Sequence, residues 1–124
     1  LKAAGALPND SYLEKNRDLV TGKVKILSTS INVRRKEVII FDDIINTGST
    51  AIRTSEFLKK QGASKIYFLA THAVLAGRAS LDLASSPIDQ VIVTDTIFIP
   101  KEKQFAKLKI VTVAQLIAEK IKKL

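Results

Sequence analysis

One short stretch, residues 38–50, constrains the fold of this chain more than any other. Its sequence is VIIFDDIINTGST. The apolar run at positions 38–41 predicts a parallel strand that is covered on both faces. Asp42 and Asp43 close this run. Adjacent carboxylates repel each other and weaken a strand end, so a structural role alone gives little reason for both, whereas binding of a ligand does. The stretch therefore predicts a binding site at the end of a buried strand.

The loop that follows the two acids is suited to bind an anion. Residues 46–50 are small and rich in hydroxyls, and Gly48 can adopt a positive φ that leaves backbone amides accessible. A helical pattern follows, with Lys59 and Lys60 in its last turn and Gly62 as its stop signal. Because unpaired amides and the positive end of a helix dipole converge at such a junction, a phosphate fits best. An ordinary turn in which the acids are caps is the alternative.

The order of these groups indicates a sugar phosphate, because carboxylates accept hydrogen bonds from hydroxyls while loop amides donate to phosphate oxygens. Residues 42–50 resemble the phosphoribosyl-diphosphate (PRPP) motif of the type I phosphoribosyltransferase fold: two acids, two apolar residues, one variable position, then Thr-Gly-x-Thr. The resemblance implies that the acids hold the ribose 2- and 3-hydroxyls and that the loop holds the 5-phosphate. The ribose 5-phosphate site assigned in this way comprises Asp42, Asp43, Asn46, Thr47, Gly48, Ser49 and Thr50.

A second charged segment, residues 13–17, shows no helical period. In an extended chain Lys15 and Arg17 project from one face and could clamp a polyphosphate, whereas a solvated charged loop is the alternative. The segment resembles the mobile catalytic loop of ribose-phosphate pyrophosphokinases (PRPP synthetases). Residues 71–77 and 93–97 resemble further segments of that family, and the similarity covers essentially the whole chain. The resemblance of residues 13–17 to the catalytic loop implies that Lys15 and Arg17 are catalytic.

The resemblance, which is close to archaeal-type members, implies a specific reaction. The β,γ-diphosphoryl group of ATP would pass to the 1-hydroxyl of ribose 5-phosphate, giving PRPP and AMP in the presence of Mg²⁺. The family's chains are about twice as long, so we expect a C-terminal half that carries no metal ligands, is inactive alone and belongs to a homo-oligomer. A phosphoribosyltransferase of the same fold and a non-catalytic regulatory protein associated with PRPP synthetase are the alternatives.

Composition narrows the function classes. A chain of 124 residues with 46% hydrophobic content fits one domain, and it has no cysteine for disulfides or thiolate metal sites. The net charge of +8 raises nucleic acid as a partner, but the cations are dispersed and aromatic residues are few, so we expect no nucleic-acid partner. No apolar run approaches the roughly 18 residues of a membrane span. A cytoplasmic protein without a membrane partner is expected.

The remaining pattern predicts an α/β domain over residues 1–124 with a doubly wound, mainly parallel sheet of the type I phosphoribosyltransferase kind. Strands are predicted at residues 24–27, 65–72, 90–97 and 110–113, with helices at 51–61, 77–85 and from 113 onward. Residues 1–7 are typical of a helix tail, and the last helix, opened by Thr112 and Gln115 as a capping box, is expected to pack on the sheet. His72 and Asp95 are expected to be supporting residues at the rim that the strand ends share.

Overall fold

The computed structural model describes residues 32–124 in full and, of the preceding chain, the backbone of three strands. The elements in chain order are β1 (Lys2–Ala4), β2 (Leu13–Arg17), β3 (Val24–Thr29), β4 (Glu37–Ile45), α1 (Ser49–Lys60), β5 (Lys65–Ala73), α2 (Ala79–Ser85), β6 (Gln90–Thr94), β7 (Leu108–Val111) and α3 (Ala114–Ile121). A 3-10 turn, Lys101–Lys103, lies between β6 and β7.

The main sheet has five strands in the order β1-β4-β5-β6-β7. The strands β4 to β7 are parallel to one another, and β1 pairs antiparallel with the outer edge of β4. The strands β2 and β3 form a separate antiparallel pair. This arrangement confirms the predicted α/β fold with a mainly parallel sheet.

One face of the main sheet packs against α1 and α2 and forms the core. Because side chains alternate along a strand, every second residue points into this layer. The buried residues that do so are Val38 and Ile40 of β4, Ile66 and Phe68 of β5, and Val91 of β6. The helices complete one contiguous cluster with Ala51, Leu58, Ala79 and Leu83. We call this side of the sheet the covered face.

The opposite side, which we call the open face, also carries apolar residues but leaves them partly exposed. Phe41 and Leu69 are register partners, Leu69 pairs in turn with Ile92, and Thr94 pairs with Val111. Phe41 is 41% exposed and Val111 is 44% exposed. A cavity of about 390 Å³ lies against these residues.

The structure corrects the predicted boundaries at several places. Residues 2–4 form an edge strand and not a helix tail, since they pair with the otherwise unpaired outer edge of β4. The strand predicted at 90–97 ends at Thr94, because a turn follows, and β7 begins at Leu108, earlier than predicted. The strand β4 continues past the two acids to Ile45, because β5 continues to pair with it as far as Ala73.

The last helix also differs from the prediction. The Gln115 side chain donates to Glu119 and so does not complete a capping box, although the Thr112 hydroxyl accepts from the amide of Ala114. The apolar side chains of α3 are exposed, Ile117 by 52%, so the expected packing on the sheet is wrong. In the described part of the chain, every helix is too short or too polar to cross a membrane.

Candidate functional site

The two adjacent acids lie near the carboxyl end of β4. Asp42 is half-buried and Asp43 is exposed, and the amide of Asp43 donates to Asp42 Oδ1 at 3.0 Å. The pKa of Asp43 is lowered from its ordinary value, first by a hydrogen bond with the Asp42 side chain and then by backbone donors and the charge of His72. Asp43 is therefore ionised at neutral pH and can accept hydrogen bonds from a ligand.

The predicted anion loop forms a tight junction between β4 and α1. Gly48 has a φ of 78°, and its carbonyl accepts the first helical hydrogen bond, from the amide of Ile52 at 3.0 Å. The amides of Ser49, Thr50 and Ala51 precede that bond and have no acceptor within the helix. Ser49 donates only a long bond, 3.5 Å, to Thr47 Oγ1. These donors and the positive end of the helix dipole thus converge at the start of α1.

Close packing also favours glycine at position 48. A Cβ at Gly48 would lie 3.1 Å from Leu83 Cγ, and Leu83 is fully buried in α2. The side chains around it in the loop, Asn46, Thr47 and Ser49, remain exposed. The loop backbone is therefore pressed onto α2 while its polar groups face solvent.

The segment after β5, residues 74–76, holds this loop in place. The sequence marks residues 71–77 only by resemblance and does not predict these contacts. Ile45 O accepts from the amides of Val74 at 2.9 Å and Leu75 at 3.3 Å, and Asn46 O accepts from the amide of Ala76 at 2.9 Å. Lys103 Nζ in turn donates to Val74 O at 3.2 Å. We call these contacts the loop clamp. Within this segment Leu75 has a φ of 50°, a left-handed conformation that no local sequence pattern around a leucine predicts.

The other residues expected at the rim are brought to it by β5 and β6. His72 follows the sheet register opposite Ile44, next to the acids, and its Nδ1 lies 2.8 Å from Thr96 Oγ1. Asp95 Oδ1 accepts from the amide of Val113 at 3.0 Å, and its pKa is lowered by the Thr112 hydroxyl and by that amide. Both side chains therefore make hydrogen bonds at the rim, and their supporting role stays a prediction.

The predicted catalytic cations lie on β2. Lys15 pairs with Ile26 and Arg17 with Val24, after a register shift between Glu14 and Lys15. The extended conformation predicted for them is confirmed for the backbone. Their side chains lie outside the described residues, so their catalytic role stays a prediction.

A resident magnesium cage does not fit the described acids. Within residues 32–124 no three acidic or histidine side chains cluster as a metal site. The acidic pair could at most contribute to an ion that is largely coordinated by substrate phosphates.

A carboxylate pair beside an amide-rich loop, at the carboxyl ends of parallel strands, defines an α/β domain suited to a phosphorylated, hydroxyl-bearing ligand. Comparison with known proteins gives the family. The family model described as "Phosphoribosyl synthetase-associated domain" matches residues 13–124, and the chain therefore belongs to that family.

Individual relatives agree with this assignment. A ribose-phosphate pyrophosphokinase of Caldanaerobacter subterraneus is 46% identical over 90 residues, which are 73% of this chain and 28% of the relative. One from Sulfolobus acidocaldarius is 39% identical over 112 residues, 90% of this chain and 37% of the relative.

A solved structure shares the fold. The phosphoribosylpyrophosphate synthetase from Mycobacterium smegmatis superposes with a TM-score of 0.76 at 31% identity, over 90% of this chain and 35% of that one. The predicted resemblance to PRPP synthetases is confirmed, and this chain spans only the smaller part of the length of each relative.

Proposed function

We propose that this chain is the ribose 5-phosphate-binding part of a ribose-phosphate pyrophosphokinase. In the complete reaction the β,γ-diphosphoryl group of ATP passes to the 1-hydroxyl of ribose 5-phosphate, giving PRPP and AMP. The observation that carries this proposal is the placement of two adjacent acids, with the pKa of Asp43 lowered, and of a loop that opens into a helix N-terminus within one strand-loop-helix unit. The names of the relatives support the reaction.

Each end of the ligand would meet matched chemistry. The Asp43 carboxylate, with Asp42 beside it, would accept hydrogen bonds from the ribose 2- and 3-hydroxyls. The amides at the start of α1 and the hydroxyls of Thr47, Ser49 and Thr50 would donate to the 5-phosphate, whose negative charge the helix N-terminus also favours. Binding at both ends would orient the 1-hydroxyl for attack.

Catalysis would then be positioning and charge stabilisation. Lys15 and Arg17 would neutralise charge on the transferring phosphates as the bond to the leaving AMP breaks, with no covalent intermediate on the protein. Magnesium, bound with the ATP phosphates, would supply further charge neutralisation. We assign no step to a metal held by the described residues, and we expect the chain alone to bind ribose 5-phosphate without turning it over.

Binding is tested directly on this chain. In a titration with ribose 5-phosphate followed by amide NMR, we expect shifts at residues 47–50 and at Asp42 and Asp43. Inorganic phosphate should shift the loop without shifting the acids, and Asp43→Asn should weaken binding of ribose 5-phosphate more than of phosphate. Loop signals that stay unchanged at millimolar ligand would refute the proposal.

Turnover is tested on a longer protein that contains this chain. Formation of AMP and PRPP from ATP and ribose 5-phosphate is expected, and Lys15→Ala and Arg17→Ala should each lower kcat with little change in KM for ribose 5-phosphate. A base-dependent release of diphosphate from PRPP would instead indicate a phosphoribosyltransferase.

A non-catalytic role is the second candidate, because the matching family is described as synthetase-associated. In that case the longer protein would bind ribose 5-phosphate at the same loop and acids but form no AMP. The retained cations Lys15 and Arg17 favour the enzyme, since a site that has lost its chemistry has little need for them.

A further inference from the structure

The fold gathers cations at the amino ends of β4 and β5, at the opposite end of these strands from the candidate site. Two turns meet there, residues 33–36 before β4 and residues 59–65 between α1 and β5. We call them together the basic turn pair. They carry six exposed basic residues: Arg34, Arg35, Lys36, Lys59, Lys60 and Lys65. These residues are dispersed in the sequence, and the structure brings them onto one surface.

Backbone contacts join the two turns. The carbonyl of Gly62 accepts from the amide of Arg35 at 2.8 Å, and the carbonyl of Lys36 accepts from the amide of Ser64 at 2.8 Å. The stem of Arg34 lies against the second turn, since a Cβ at Gly62 would be 3.2 Å from Arg34 Cγ. The basic turn pair is therefore an ordered surface, on which the aliphatic stem of Arg34 is held by packing.

Arg35 has a backbone conformation that suits other residues better. Its φ is 60°, in the left-handed region that Gly and Asn adopt at little cost and that strains a residue with a long side chain. The turn is closed by a hydrogen bond from the amide of Lys36 to Val33 O at 3.0 Å, which needs no side chain at position 35. A strained and exposed residue that its own turn does not require indicates a role for the guanidinium outside the fold.

Acids in or beside the basic turn pair do not cancel its charge. They are Glu37, Glu56 and Asp89, half as many as the cations. Glu37 pairs with Lys65 at 3.5 Å, and Asp89 accepts from the amide of Ile66 at 2.8 Å. The surface therefore keeps a surplus of positive charge, and electrostatic complementarity requires an anionic partner.

We propose that the basic turn pair is a docking surface for an acidic segment of a protein partner, whose carboxylates bind Arg34 and Arg35. The guanidinium fork matches a carboxylate with two parallel hydrogen bonds. Nucleic acid fits less well, because neither turn contains an aromatic residue on which a base could stack and Glu37 would repel a phosphate backbone. This surface lies away from the ligand site and does not depend on the proposed function.

The test titrates this chain with a hexaglutamate peptide at physiological ionic strength and follows the amides by NMR. We expect shifts at residues 33–36 and 59–65. Arg34→Gln and Arg35→Gly should each weaken binding by about three- to fivefold, the effect of losing one exposed charge pair. Arg78→Gln is the matched control, because it removes the same charge from an exposed arginine just before α2. It should change the affinity by less than about twofold, since salt screens distant charges.

Urea denaturation of Arg35→Gly provides a second readout. Because glycine adopts a φ of 60° without strain, the midpoint should rise while peptide affinity falls, so that lost binding cannot be ascribed to unfolding. A lower midpoint would show that the turn needs arginine and would overturn the argument from strain. The docking role would be overturned by absent shifts in the wild type, by an equal loss of affinity in Arg78→Gln, or by tighter binding of a single-stranded oligonucleotide than of hexaglutamate.

Discussion

The two faces of the main sheet are built from the same strands but meet different surroundings. Phe68 and Leu69 are neighbours in β5, yet Phe68 is 1% exposed beneath the helices, whereas Leu69 lines the partly exposed cavity of the open face. Both faces are apolar, as is typical of parallel strands. The helices α1 and α2, and not the apolar run itself, therefore decide which residues form the core.

The candidate site depends on the covered face more than on the open one. Gly48 rests on Leu83 of the covering helix α2, and the loop clamp joins the loop to residues just beyond β5. Substitutions at matched positions on the two faces and around the loop test that asymmetry.

The largest expected effect comes from truncating neighbours on opposite faces. Phe68→Ala should lower the free energy of unfolding by about 3–5 kcal/mol, because it leaves a cavity in packed surroundings. Leu69→Ala should lower it by about 1 kcal/mol, because the side chain already contacts solvent. Urea denaturation measures both. Equal losses would show that the open face is as well packed as the covered one.

Substitution of two glycines distinguishes the cost of backbone strain from the cost of steric contact. Gly48→Ala should cost about 2–3 kcal/mol, since its φ is 78° and the new Cβ would press on Leu83. Gly77→Ala, with a φ of 60° and no atom within 4 Å of its Cβ, should cost about 1–2 kcal/mol from conformation alone.

Ligand binding extends this comparison. Only Gly48→Ala should also weaken phosphate binding, as followed by NMR titration. If Gly77→Ala weakened it as much, the contact with α2 would not be what shapes the loop.

Two lysines test whether the loop clamp matters for the site. Lys103 Nζ donates to Val74 O at 3.2 Å, and Lys107 Nζ donates to Ser86 O at 2.8 Å. Replacing either with Met should cost about 0.5–1.5 kcal/mol, the net value of one hydrogen bond. Lys103→Met should also shift the amide signals of residues 45–48, whereas Lys107→Met should leave them in place. Identical spectra for the two variants would contradict the role of the clamp.

The smallest expected effect comes from removing the charge of Asp95, whose carboxylate accepts from the amide of Val113 at the start of the exposed helix α3. Because the folded pKa of Asp95 is lowered, its contribution to stability is present above the unfolded pKa and is lost as pH falls through the folded pKa. Asp95→Asn should therefore remove part of the acid dependence of unfolding and release the start of α3, seen as faster amide exchange at Val113. An acid profile identical to that of the wild type would contradict this.

The site was largely predictable from sequence because its residues are contiguous. The acids, the left-handed Gly48 and the start of α1 all follow from local chemistry over residues 42–50. The loop clamp was not predictable, since it consists of backbone hydrogen bonds between distant segments and involves a leucine in an unusual conformation. The strand β1 and the exposure of α3 were not predictable either, because strand pairing at a sheet edge and the burial of a helix face depend on segments distant in sequence.

The loop clamp also has a consequence for the rate of binding. The carbonyls of Ile45 and Asn46 are already engaged by residues 74–76, so no slow ordering of the loop has to precede capture of an anion. The association rate of the anion should then be set by diffusion, which the electrostatic attraction of a chain with net charge +8 accelerates. We expect the association rate constant to fall steeply with added salt and the dissociation rate constant to change little.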